Sequence, residues 1–196
     1  MTNQLDNDKL PVAVQRVAFA LRTTGWACFW VQLVLGVVAA IILLFAIPST
    51  TASATVAGRS NSAGTGGGVF FAICGLVVLA YSVYSSFRFT RLSRQLRTPA
   101  NAVRPKKADT IKQVRLALWS NLSGMLLTLI GAEAISGTLL AKSLAQPQAL
   151  FGAAVDVGRF IQPLDIFVVL ANTHATVAHF VGIMGALWLL DRIHEQ

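Results

Sequence analysis

The chain has 196 residues, of which 55% are hydrophobic and only 12% are charged. A water-soluble domain of this size needs more polar residues to cover its core, so the composition excludes an ordinary soluble protein and indicates an integral membrane protein. The net charge is +8, but the basic residues flank apolar segments, where they meet anionic lipid headgroups. Nucleic acid is therefore not an expected partner.

The segment before the first apolar run lacks the pattern of a cleaved signal peptide, so the first span is expected to act as an uncleaved signal anchor. In the segment 8–24, apolar residues recur at helical spacing. This pattern predicts an amphipathic helix that lies in the inner headgroup layer. A simple helical extension of the first span explains the same pattern equally well.

Four apolar segments have about the 20 residues that a helix needs to cross the hydrocarbon layer. These predicted spans are 25–47, 68–87, 116–142 and 166–190. We therefore predict a single membrane domain over residues 1–196, an all-α integral membrane four-helix bundle with an N-terminal interfacial helix. Its lipid-facing surface contacts the bilayer.

Pro48 and Ser49 are expected to end the first span. The following segment, 48–67, is rich in Ser, Thr, Ala and Gly and is predicted to be a flexible linker. It lacks the Gly-Lys-Ser/Thr ending of a phosphate-binding loop. The segment from Leu144 to Asp165 is expected to be a loop or a short helix at the outer surface.

The segment 88–115 holds nine basic residues against a single acid, Asp109. Leucines interleaved with its first four arginines predict that span two continues as a helix to about Arg97, with a turn at 98–105. A helix capped by Asp109 or Thr110 is then expected to run into span three. The arginines at the start of this cytoplasmic loop are expected to contact lipid or to dock a partner: Arg88, Arg91, Arg94 and Arg97.

The basic residues are distributed unevenly between the two sides of the membrane. Thirteen of the sixteen fall before span one, between spans two and three, or after span four. The positive-inside rule then places both termini and the central loop in the cytoplasm. Cys28 and Cys74 lie at different depths, too far apart for a disulfide.

Glu133 is the most informative residue of the spans, because a carboxylate within a membrane costs several kcal/mol unless it is protonated, paired or beside water. On span four, four polar residues share one helical face: Asp165, Asn172, Thr176 and His179. If this stripe faces Glu133, its oxygen and imidazole groups suit a transition metal such as iron, or protons. Hydrogen bonding that only holds the helices together is the alternative for the stripe and for Glu133.

A second stripe on span three, opposite Glu133, contains residues that allow close helix packing, within the bundle or in a homo-oligomer: Gly124, Thr128, Gly131 and Thr138. Four helices leave little room for a pore, so conduction favours an oligomer. No nucleophile with a base, closed metal site or dinucleotide motif is present, and we expect neither an enzyme nor a bound cofactor.

Several short motifs resemble one family across nearly the whole chain after about Val17. They are Gly25-Trp26 with Phe29 and Gln32-Leu33, Arg91-Leu92-Ser93 with Leu96-Arg97, Asn121 with Gly124-Met125, Leu140-Ala141-Lys142, Leu164-Asp165-Ile166-Phe167, Ala171-Asn172-Thr173 and His179-Phe180. The chain resembles the chloroplast inner-envelope proteins described both as protein import components and as iron permeases, with their cyanobacterial relatives. It departs from the plant pattern at Glu133, where plant members carry an amide.

The resemblance implies a cyanobacterial-type member in the plasma or thylakoid membrane. Two functions follow as hypotheses. The first is a permease, or permease subunit, for iron or a related metal ion, with iron as the transported substrate. The second is a non-transporting assembly or protein-translocation component that binds other membrane proteins.

Overall fold

The computed structural model describes residues 12–57, 63–96, 107–151 and 161–195. Nearly all of them belong to four helices: α1 (Val12–Ala57), α2 (Ala63–Leu96), α3 (Lys107–Phe151) and α4 (Pro163–His194). Each helix contains a stretch long and apolar enough to cross a membrane. These described ranges contain no strand. The prediction of an all-α integral membrane four-helix bundle is therefore confirmed.

The helices extend well beyond the predicted spans. Lipid offers no hydrogen-bond partner to the backbone, so each apolar run must be helical, and the helix can continue into water. The predicted helical extensions of spans two and three are confirmed, since α2 ends at Leu96 and α3 begins at Lys107. Asp109 lies in the first turn of α3, where its negative charge favours the helix N-terminus. The predicted turn at 98–105 lies outside the described residues.

The loops on the other side of the spans are shorter than predicted. Helix α1 does not end at Pro48 but continues to Ala57, and α2 begins at Ala63. Helix α3 likewise continues past Leu144 to Phe151. A proline inside a helix removes one backbone hydrogen bond and does not by itself stop the helix, which explains why Pro48 misled the prediction.

Of the two interpretations of the N-terminal amphipathic segment, the structure agrees with a helical extension of span one. From Val12 onward it is part of α1, and Ala18 and Leu21 are completely buried. Both belong to a core that includes Phe89, Val114 and Leu189. The segment is therefore a helical extension of span one packed on the other helices, where burial against apolar side chains stabilises it.

The chain divides into two compact units, and each helix contributes a segment to both. The first unit comprises Met1–Val34, Val78–Ser123 and Ala178–Gln196, and the second comprises Leu35–Val77 and Gly124–Val177. The first has the core described above. The second has its own core of small and branched residues: Ala39, Leu43, Ala46, Ala72, Ile135, Val168 and Ala171. Many large apolar side chains of both units are exposed, as a lipid-facing surface requires.

Candidate functional site

The first unit contains a buried polar network with one side chain from each helix. Ser86 Oγ donates to Gln32 Oε1 at 2.9 Å, and Gln32 Nε2 donates to Asn121 Oδ1 at 2.9 Å and to the Ala178 carbonyl at 3.2 Å. His179 Nδ1 lies 3.3 Å from the same Asn121 oxygen, which is a hydrogen bond when the ring carries its proton on Nδ1. Gln32 and His179 are completely buried. The network therefore connects all four helices.

A glycine on α4 makes room for this network. A Cβ atom added to Gly182 would collide with Asn121 Oδ1 and Gln32 Nε2. The absence of a side chain at this position therefore lets α4 approach the two amides closely. Asn121 Nδ2 is also occupied, since it donates to the Ala117 carbonyl at 2.9 Å. Such satisfied buried polar groups hold helices in one arrangement.

The polar stripe of α4 does not form a single site. His179 belongs to the network of the first unit, whereas Asp165, Asn172 and Thr176 belong to the second unit. Asn172 is buried, and its Nδ2 donates to the Thr128 carbonyl at 2.8 Å. Asn172 Oδ1 is buried and has no hydrogen-bond partner among the residues that the structure describes. Thr176 Oγ1 donates to the Asn172 carbonyl at 2.9 Å, within its own helix.

Asp165 forms an ion pair at the start of α4. Lys142 Nζ donates to its two carboxylate oxygens at 2.9 and 2.7 Å. The backbone N–H of Gln162 also donates to Asp165 Oδ2 at 3.0 Å. Lys142 at the end of span three is therefore paired with a carboxylate on the neighbouring helix. A neighbouring carboxylate on the next helix offers the ammonium group a nearer partner than the headgroups do.

Glu133 faces outward from the second unit. Its side chain is exposed, as are Leu129 and Ile130 before it and Ser136 and Gly137 after it. The structure does not bring Glu133 together with the stripe of α4. Within the described ranges the Glu133 carboxylate makes no hydrogen bond or ion pair, and no three His, Cys, Asp or Glu side chains of those ranges could share a metal ion.

The small-residue stripe of α3 lies against α2 within the second unit. A Cβ added to Gly131 would lie 3.1 Å from the Gly68 carbonyl oxygen, and one added to Gly75 would lie 2.5 Å from Thr128 Cγ2. Gly124 lies on the same contact, its carbonyl oxygen 3.6 Å from such a Cβ on Gly75. Thr138 instead donates to the Ile135 carbonyl of its own helix at 2.7 Å.

Three of the four arginines at the end of α2 and in the segment after it are exposed. Arg88, Arg91 and Arg94 are exposed on the last turns of α2. Residues three apart lie close to one face of a helix, so the three guanidinium groups form a basic strip. Arg97 lies outside the part of the chain that the structure describes.

Sequence reasoning missed the polar network around Asn121. Gln32, Ser86 and Asn121 were not proposed as site residues, although each is a polar side chain inside an otherwise apolar span. That is the signal by which they could have been found, since lipid solvates an amide poorly and such residues turn toward a neighbouring helix. The spacing of residues along a single helix does not show which other helices pack against them.

Comparison with known proteins agrees with the resemblance seen in the sequence. The chain is 35% identical over 200 residues to "Protein TIC 21, chloroplastic" of Arabidopsis thaliana. The match covers 97% of this chain and 63% of that protein, so the chain spans less than two thirds of its relative's length. No solved structure matches. A model of the family described as "Protein of unknown function (DUF3611)" matches residues 11–194, and the chain therefore belongs to the DUF3611 family.

Proposed function

We propose that this protein is a membrane permease, or a subunit of one, for iron or a related metal ion. The observation that carries the proposal is Glu133, an exposed carboxyl group on the membrane-spanning part of α3. A carboxylate in contact with lipid costs several kcal/mol, and residues of this kind mark ion pathways by default. The family resemblance, which extends to iron permeases, supports the same function.

The transport path is formed between copies of the chain. Glu133 lies on the outside of the second unit, with exposed apolar neighbours along α3. The buried polar groups of the first unit already bond to one another. A path lined by Glu133 from two or more copies supplies several carboxylate oxygens, which bind divalent cations well. Each copy also shields the other's carboxylate from lipid.

Metal uptake into proteoliposomes tests this function. Purified protein is reconstituted into sealed vesicles, and entry of radioactive iron is compared for the wild type, Glu133→Gln and empty vesicles. Asp191→Asn is the matched control, because Asp191 is an exposed acid on α4 in the first unit. We expect uptake above empty vesicles that falls at least about tenfold in Glu133→Gln, which is the effect of losing roughly 1.4 kcal/mol of ion stabilisation.

The contrary outcomes are specific. Wild-type protein that is correctly inserted and transports no iron, manganese or zinc would refute the permease function. Uptake that is equal in wild type and Glu133→Gln would remove Glu133 from the path. A loss in Asp191→Asn as large as in Glu133→Gln would show that uptake depends on the overall negative charge of the protein and not on the position of Glu133.

A second candidate function is a non-transporting assembly or protein-translocation component. The basic strip of Arg88, Arg91 and Arg94 favours it, because exposed guanidinium groups pair with acidic groups on a partner protein. This strip lies on the side that the positive-inside rule assigns to the cytoplasm, together with both termini, in a plasma or thylakoid membrane.

Co-purification distinguishes this second function from the first. Replacing all three arginines by glutamine is expected to release bound membrane proteins if the second function holds, and to leave iron uptake unchanged if the first function holds. Protease accessibility of the C-terminus must first show that the topology has not inverted. Partners that remain bound to the triple variant would exclude the basic strip as their docking surface.

A further inference from the structure

A groove opens between α1 and α4 in the first unit. Its volume is about 380 Å³. Both helices contribute to its lining: Gln15, Arg16, Phe19, Ala20, Trp188 and Arg192. We propose that this groove binds one anionic phospholipid, with the headgroup phosphate between Arg16 and Arg192 and an acyl chain along Phe19 and Trp188. The proposal is independent of the transported substrate.

The order of residues along the two helices matches the polarity of a lipid. On α1, Arg16 precedes Phe19 by about one turn, so the guanidinium group is nearer the end of the helix and the ring is deeper in the span. On α4, Trp188 precedes Arg192 by about one turn, and α4 ends two residues later. Both helices therefore place their arginine at the terminal end of the groove and their aromatic ring on the membrane side.

The charge of the groove suits a phosphate group. Arg16 is exposed, and the Arg192 side chain is 43% exposed, so both can reach a ligand from the surrounding bilayer. Arginine guanidinium groups bind phosphate oxygens through several charge-assisted hydrogen bonds. Arg192 Nη1 donates to Glu195 Oε2 at 2.9 Å. Glu195 is 54% exposed and separates from Arg192 at little cost when a phosphate arrives, because an exposed ion pair is weak.

The aromatic side chains identify the occupant as a lipid and not as a free anion. Phe19 is 64% exposed and Trp188 is 50% exposed. They form the deeper part of the groove, where a free phosphate ion would gain nothing from them. An acyl chain covers apolar surface there, and an indole ring is suited to the boundary between headgroups and hydrocarbon.

Native mass spectrometry of the full chain in detergent measures the binding. Phosphatidylglycerol and phosphatidylcholine with identical acyl chains are titrated onto the wild type and onto Arg16→Gln/Arg192→Gln. We expect the wild type to prefer phosphatidylglycerol. We also expect its affinity for that lipid to fall about thirtyfold in the double variant, since each basic residue near an anionic lipid contributes a factor of about five to six.

Three further variants separate a site from a general charge effect. Lys112→Gln/Arg115→Gln removes the same charge from exposed positions of α3 outside the groove and is expected to leave the preference unchanged. Trp188→Ala keeps the charge of the groove and is expected to lower the affinity for both lipids severalfold. Glu195→Gln removes a negative charge that would repel the phosphate beside Arg192 and is expected to raise phosphatidylglycerol affinity severalfold, a gain that misfolding cannot imitate.

The proposal is overturned if the Arg16→Gln/Arg192→Gln variant binds phosphatidylglycerol as tightly as the wild type does. It is also overturned if the α3 control, Lys112→Gln/Arg115→Gln, loses as much affinity as that variant. Equal affinity of the wild type for the two lipids also overturns it. Inorganic phosphate that displaces the bound lipid completely at millimolar concentration, together with normal lipid binding in Trp188→Ala, would identify a simple anion site instead of a lipid site.

Discussion

In the first unit, hydrogen bonds between amide, hydroxyl and imidazole groups connect the helices. In the second unit, glycines let α2 and α3 pack closely. In the first, Gln32 and Asn121 are buried and bonded to each other. In the second, Asn172 retains an unpartnered buried oxygen, and Glu133 is exposed. The comparison teaches that polarity within a span has two uses. Satisfied groups fix the helix arrangement, and unsatisfied or exposed groups remain available for a ligand or a second copy.

The largest expected effect concerns the glycine of the polar network. In Gly182→Ala the added Cβ meets two amides that are fixed by hydrogen bonds, so we expect the free energy of unfolding to fall by about 3 kcal/mol. Gly137→Ala is the matched control, because a Cβ there meets nothing within 4 Å and alanine favours a helix by about 1 kcal/mol over glycine. Thermal unfolding in detergent followed by circular dichroism compares them. Equal unfolding temperatures would contradict the proposed role of Gly182.

A smaller effect is expected at the glycine contact of the second unit. In Gly75→Ala the new Cβ lies 2.5 Å from Thr128 Cγ2, and threonine is stiff at χ1, so we expect a loss of about 2 kcal/mol. Thr128→Ser deletes that methyl group and keeps the hydroxyl that donates to the Met125 carbonyl at 2.9 Å. The double variant should therefore be more stable than Gly75→Ala alone. Denaturant titration tests this. A double variant that is less stable than Gly75→Ala would show that contact with Thr128 Cγ2 is not the cause of the loss.

Two leucine substitutions sharpen the comparison between satisfied and unsatisfied amides. Gln32→Leu removes three hydrogen bonds and should cost about 2 kcal/mol, because partners remain buried without it. Asn172→Leu removes one bond together with the unpartnered oxygen and should cost about 0.5 kcal/mol or less. Both are measured by the same unfolding titration. A larger loss for Asn172→Leu than for Gln32→Leu would reverse the distinction between the units.

The smallest effect is expected for the ion pair of Lys142 and Asp165. Their side chains are 26% and 17% exposed, so water and salt reduce the attraction between them. A double-mutant cycle with Lys142→Met and Asp165→Asn should give a coupling energy of about 0.5 to 1 kcal/mol that decreases in high salt. A coupling energy that does not change with salt concentration would show that the pair is shielded from solvent.

Much of the fold follows from the sequence, because the length of an apolar run and the backbone's need for hydrogen bonds leave few choices in lipid. The continuation of span two to Leu96 was predicted from leucines between arginines and is present. The helix through Pro48 was not predicted, since one proline was treated as a stop. Propensity at a single residue is weaker than the cooperativity of a long helix.

The candidate site was less predictable than the fold. Asp165 and His179 share a helical face but are about 21 Å apart along the helix axis. A single side chain such as Glu133 therefore cannot contact all four residues of the stripe. Helical periodicity assigns residues to faces, but it does not say which neighbouring helix covers a face. The opposite faces of α3 were correctly separated by periodicity, with Gly131 buried and Glu133 exposed. That the exposed face is the one with the carboxylate became visible only in the structure.

The central claim is that Glu133 lies beside water on a path between copies, and cysteine labelling in proteoliposomes tests it most directly. Glu133→Cys and Phe70→Cys are each placed in a background with Cys28→Ala and Cys74→Ala, and they are exposed to a charged, water-soluble thiol reagent. Phe70 is the control because it is an exposed apolar residue on α2 near the level of Glu133. Its neighbour Phe71 fixes that level, since the Phe71 Cβ lies 3.4 Å from a Cβ added to Gly131. Thiol modification requires the thiolate, which forms in water and not in lipid. The account predicts that the cysteine at position 133 reacts about tenfold faster or more, and equally slow reaction at both positions would contradict it.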